Sequence, residues 1–98
     1  MKYKLLATRS YDRGAKRLSK DARKTIETEV FVLASDPRQG EALRHELKGL
    51  WSLHLKFNNT HYRVIYSINE VAHEVDLRWV GSRENLYKEV RRLKLKVA

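Results

Sequence analysis

Residues 50–66 read LWSLHLKFNNTHYRVIY, and their period decides the fold. Trp51, Leu53, Leu55 and Phe57 alternate with Ser52, His54, Lys56 and Asn58. A period of two marks a strand with one buried face. After an Asn-rich turn the alternation resumes. Tyr62, Val64, Tyr66 and Ile68 form the apolar side, and His61, Arg63, Ile65 and Ser67 lie opposite. The two strands make a hairpin whose second face gathers His54, Lys56, His61 and Arg63.

Parity restricts the register of that hairpin. Core residues are odd-numbered on the first strand and even-numbered on the second, so facing residues sum to an odd number. A two-residue turn at Asn59 and Thr60 sets Lys56 opposite Arg63. A turn at Asn58 and Asn59 sets His54 opposite Arg63. Either register makes two basic groups neighbours, and like charges directly opposite destabilise a sheet. An anion between them removes the conflict, and a scissile phosphate is such an anion. Two blander arrangements compete: the long side chains splay into water, or Asp76 of the following strand pairs with Arg63.

Working outward, residues 71–80 read as a third strand. Val71, Val75, Leu77 and Trp79 form its apolar set, with Glu74, Asp76 and Arg78 on the other face. VGSRENLY (residues 80–87) then delivers Arg83 and Tyr87 beyond that strand. Leu86, Val90 and Leu93 predict a short C-terminal helix over residues 84–93. Upstream, Tyr11, Ala15 and Leu18 predict one helix capped by Thr8 or Ser10. Ala22, Ile26, Val30 and Leu33 predict a second, capped by Ser19 or Asp21 and ending before Asp36-Pro37. A short apolar run over residues 3–8 reads as a first strand. Residues 36–49, with the only proline, are the least regular stretch and connect helices to sheet. The prediction is a single α+β domain over residues 1–98: a strand, a helical hairpin, a three-stranded antiparallel meander completing a largely antiparallel sheet, and a short terminal helix. Trp51, Tyr62, Tyr66 and Trp79 read as core.

The chain has 98 residues, of which 21 are Lys or Arg and 12 are Asp or Glu, a formal net charge of +9. So large an excess on a small domain favours an anionic partner, with nucleic acid first because the basic residues run through the folded pattern. With no cysteine, disulfides, thiolate catalysis and cysteine zinc sites are excluded. The four histidines show no helical metal spacing, so neither metal nor cofactor is expected. No apolar run approaches the roughly 18 residues of a membrane span, and the N-terminal stretch is too short for a signal-peptide core. A cytoplasmic protein without a membrane partner is expected.

Three segments in combination, LKGLWSLHLKF (residues 47–57), HYRVIYSI (61–68) and VDLRWVGSRENLY (75–87), resemble the RelE/ParE toxin superfamily of toxin–antitoxin pairs. The likeness covers residues 1 to about 93. In RelE-type members it implies a metal-independent endoribonuclease acting on mRNA in the ribosomal A site. Attack by the 2′-hydroxyl on the neighbouring phosphate leaves a cyclic phosphate, or its hydrolysed form, and a 5′-hydroxyl. It implies Lys56 as general base, Arg63 on the scissile phosphate, Arg83 stabilising the transition state or protonating the leaving oxygen, and Tyr87 stacked on the substrate base. His54 stands where RelE has a first lysine, and it shares or takes over proton transfer. His61, beside the turn, is a candidate RNA contact. Lys16, Arg17, Arg23 and Lys24 read as solvated helix faces that the resemblance turns toward ribosomal RNA. The implied partners are ribosome, mRNA and a cognate antitoxin that is acidic or amphipathic. The alternatives are a ParE-type inhibitor of DNA gyrase and a catalytically inactive RNA binder, since fold alone does not set function.

Overall fold

The computed structural model describes residues 2–86 and residue 89. Strand β1 (Lys4–Ala7) leads into helices α1 (Arg9–Lys16), α2 (Lys20–Val30) and the single turn α3 (Val32–Ser35). Two 3₁₀ turns, Pro37–Gln39 and His45–Leu47, flank a short strand β2 (Glu41–Ala42). The meander β3 (Trp51–Phe57), β4 (Thr60–Asn69) and β5 (Glu74–Ser82) follows. The five strands lie in the order β1-β5-β4-β3-β2; β1 runs parallel to β5 and the remaining pairs are antiparallel. The α+β class and the meander are as expected. The edge strand β2 is additional, and two residues are too few to show a period.

Local chemistry explains where the helices start and stop. The Thr8 hydroxyl accepts the Tyr11 amide and the Ser19 hydroxyl accepts the Ala22 amide, so α1 and α2 each open on a side-chain cap. Asp36 leaves helical geometry immediately before Pro37, as the proline requires. The helices place Tyr11, Ile26, Val30 and Leu33 against Leu53, Leu55, Val64, Tyr66, Val75, Leu77 and Val80. α1 sits directly on β5, because a Cβ on Gly14 would run into the Val80 carbonyl oxygen. Tyr66 is fully buried; its hydroxyl donates to the Pro37 carbonyl (2.7 Å) and accepts the Gly40 amide (3.1 Å). It pins the irregular segment to the sheet, and burial raises its phenol pKa.

Two expectations for β5 fail. Val71 is 95% exposed and lies in the β4–β5 turn, outside any strand. Trp79 is buried, but on the other face of the sheet. Register slips between Ile65 and Tyr66: Tyr66 pairs with Leu77 while Ile65 pairs with Trp79. The extra residue, Arg78, makes a bulge that throws Trp79 onto the face opposite the helices. There it joins Leu50 and Ile65, with Leu43, Leu47 and Leu86 against them. The second face of the sheet is therefore half apolar and half charged. Among the described residues no helix is long and apolar enough to cross a membrane.

Candidate active site

The turn between β3 and β4 selects the site. Asn58 (φ 52°) and Asn59 (φ 65°) both occupy the left-handed region, which asparagine tolerates better than most residues. A two-residue turn with both φ positive matches the twist of the strands it joins. It fixes the second of the two allowed registers: His54 faces Arg63, and Lys56 faces His61. Across β4, Arg63 faces Gly81, which adds no side chain beside the guanidinium. A Cβ at that glycine would lie 2.7 Å from the Trp79 ring, so the indole lies against the bare backbone.

Arg63 Nη1 donates to the hydroxyl of Ser52 at 3.3 Å, while its Nε is buried with no partner. Ser52, 2% exposed, is a site residue that the sequence reading left unassigned. Its signal was present: it shares the polar face of β3 and lies diagonal to Arg63. Asp76 does not pair with Arg63; its carboxylate lies 3.9 Å from Arg78, whose Nε donates to Ser67. Among the described residues no carboxylate forms an ion pair with Lys56, Arg63 or Arg83.

The two imidazoles meet. Nε2 of His54 and Nδ1 of His61 lie 2.9 Å apart, a hydrogen bond in which one ring donates and the other accepts. Their ring centres are 5.0 Å apart with planes 23° from parallel. Partial desolvation, then the charges of Arg63, His61 and Arg83, hold the His54 pKa below its ordinary value. Arg83 follows β5 in a helical turn over residues 83–86. With Glu84, Ser82, His61, Thr60 and Asn59 it lines a cleft of about 690 Å³. A group of three or more His, Asp or Glu suited to a metal does not occur among the described residues.

The structure thus brings together His54, Lys56, His61, Arg63 and Arg83 at the hairpin end of one sheet face. Tyr87 lies outside the described residues, as does most of the helix predicted over residues 84–93. Lys16, Arg17, Arg23 and Lys24 belong to the helical layer on the opposite face. Of these, Arg17 borders a second cavity, about 390 Å³, together with Tyr62, Gly81, Ser82 and Glu89. A surface of this kind can hold a phosphodiester by charge and exchange protons through imidazole.

The fold is that of the RelE toxins. A chain of the toxin–antitoxin complex RelBE2 from Mycobacterium tuberculosis superposes with a TM-score of 0.74 at 26% identity, covering 85% of this chain and 100% of that one. A mutant of E. coli toxin RelE in the free state gives 0.77 at 20% identity, covering 98% and 97%. The archaeal RelE–RelB complex from Pyrococcus horikoshii OT3 gives 0.60 at 20% identity, covering 85% and 97%. No curated protein sequence matches the chain closely. Residues 5–91 match the ParE-like toxins, and the chain belongs to this family of toxins of type II bacterial toxin–antitoxin systems.

Proposed function

We propose that this toxin is a ribosome-dependent, metal-independent mRNA endoribonuclease that cuts in the ribosomal A site and so halts translation. One observation carries the reading. His54 and Arg63 are held in direct register, flanked by Lys56, His61 and Arg83, with no carboxylate paired to the lysine or either arginine among the described residues. A sheet that keeps such repulsion has a use for an anion there. Phosphoryl transfer needs fixed positive groups where charge develops on the phosphate oxygens.

In this reading Arg63 grips the scissile phosphate and Lys56 accepts the 2′-hydroxyl proton. The P–O2′ bond forms as the P–O5′ bond breaks, leaving a 2′,3′-cyclic phosphate and a 5′-hydroxyl. Arg83 stabilises the transition state from across the cleft. His54 shares the proton traffic, Tyr87 stacks on a base, and His61, Lys16, Arg17, Arg23 and Lys24 contact RNA. The structural neighbours include toxin–antitoxin complexes. An acidic or amphipathic antitoxin is accordingly the partner that silences this chain in the cytoplasm, and a 1:1 titration with the neighbouring gene's product should abolish cleavage. Primer extension on an mRNA, with and without programmed ribosomes, tests the activity beside Arg63→Ala and Arg83→Ala. Ribosome-dependent cuts that vanish in both variants are expected. No cuts from folded protein under any condition would transfer the proposal to inhibition of DNA gyrase, the ParE-type activity, or to simple RNA binding.

A further inference from the structure

The imidazole pair has a role that the reading above leaves open: the source of the proton for the leaving 5′-oxygen. An arginine guanidinium does not give up its proton in a protein, so Arg83 supplies charge and no proton. Lys56 is committed to the other side of the reaction. Nε2 of His54 is occupied by His61 at 2.9 Å. His61 lines the cleft that holds Arg83, while its Nε2 makes no hydrogen bond among the described residues.

We propose that His61 is the general acid of this toxin, and that His54 is a positioning residue that fixes its tautomer from behind. This rests on the nuclease reading. The Nδ1–H of His61 donates to Nε2 of His54, which leaves the second nitrogen of His61 for the cleft. Two rings sharing a hydrogen bond titrate as a pair. Desolvation and the neighbouring cations disfavour protonation of His54, which suits it to be the acceptor of the pair. The groups facing the pair are Arg63 across from His54, Lys56 across from His61, and Arg83 and Glu84 in the cleft. As the 2′-oxygen bonds to phosphorus and the P–O5′ bond breaks, the Nε2 proton of His61 passes to the departing 5′-oxygen. The neutral pair then regains a proton from water.

The test uses a ribosome-presented mRNA in which sulfur replaces the 5′-oxygen at the scissile position. A thiolate leaves without protonation, so a missing general acid ceases to matter. Single-turnover cleavage of ordinary mRNA should fall about 100-fold or more in His61→Ala and in His61→Asn, in line with the loss of a general acid. The asparagine keeps a hydrogen-bonding group at the Nδ1 position and serves as the folding control. Both variants should cut the sulfur RNA at close to the wild-type rate, whereas Arg63→Ala should stay slow on both. His54→Gln, which keeps a polar group at the Nε2 position, should retain more activity than His54→Ala. His54→Ala should also displace the alkaline limb of the pH–rate profile. A folded His61 variant that keeps its rate on ordinary RNA, or stays slow on sulfur RNA, overturns the acid while the nuclease stands. A wild-type protein that cuts neither RNA overturns both.

Discussion

Replacing Arg63 by methionine separates a functional charge from a structural one. Methionine keeps an unbranched apolar stem and removes the guanidinium. The structure sets the terms of the stability change. One hydrogen bond to Ser52 at 3.3 Å is lost, worth about 0.5–1.5 kcal/mol net, and the Ser52 hydroxyl must find another partner. Against this, a buried Nε without a partner disappears, relieving about 1–3 kcal/mol. Repulsion of the arginine by its neighbours falls as well, by about 1 kcal/mol or less per charge in well-solvated surroundings. The Ser52 hydroxyl, left buried without its partner, costs about 1–3 kcal/mol on the unfavourable side, so the contributions nearly cancel and unfolding free energy should stay within about 1 kcal/mol of wild type. Cleavage should nonetheless drop roughly 100–1,000-fold, or about 2.7–4 kcal/mol, as when an oxyanion-hole donor is removed. Urea melts and single-turnover primer extension on the same preparations read the two effects. The His54 imidazole supplies a third reading: its pKa should rise toward 6.5 when Arg63 goes, as followed by ring-proton NMR. A variant that loses well over 2 kcal/mol of stability and cuts mRNA in proportion to its folded fraction would refute the reasoning and make Arg63 a structural residue.

Tyr66→Phe should cost about 1–3 kcal/mol in a urea melt, because the Pro37 carbonyl and the Gly40 amide lose the one hydroxyl that serves both. Gly14→Ala should cost about 1–3 kcal/mol by pushing α1 off β5, and the thermal midpoint should fall with it. For pH, the folded His54 value lies below the unfolded 6.5, so in that window the unfolded chain holds a proton that the folded ring lacks. Its contribution to stability is present above the unfolded pKa and is lost as pH falls through the folded one. The ring is exposed, so the effect is small. The loss of stability between about pH 7.5 and about pH 5.5 should be smaller in His54→Gln than in wild type, and identical losses would disprove the assignment.

The alternation in residues 50–68 made the hairpin, its core face and its basic face legible, and parity reduced the register to two choices. Choosing between them needed the backbone, since either turn contains an asparagine, and only the Asn58 and Asn59 turn puts both left-handed residues at its centre. The caps at Thr8 and Ser19 and the stop at Pro37 were legible because each is a local hydrogen bond or a local clash. The bulge at Arg78 was hidden, since one inserted residue leaves the composition of the strand unchanged and reverses every face after it. Val71 misled for a related reason: an apolar residue within a strand's reach carries no mark that the turn begins there, where the Asn69 side chain accepts the Ala72 amide and His73 adopts a positive φ. His54 and His61 were both on the polar face. Their contact could not be read, because it is a diagonal across two strands and depends on the register that the turn selects.

The parallel pairing of β1 with β5 sets an order of events in synthesis. Lys4 lies beside Glu74, so β1 leaves the ribosome well before β5 and waits for it to gain its partner in the sheet. Contacts this far apart along the chain are slow to form. The meander has no such delay: His54, Lys56, His61 and Arg63 sit on strands joined by two asparagines and assemble from adjacent sequence. α1 has its seat only when Val80 has arrived beneath Gly14. During its own translation the chain therefore acquires its charged face before the helical layer that supports that face is complete.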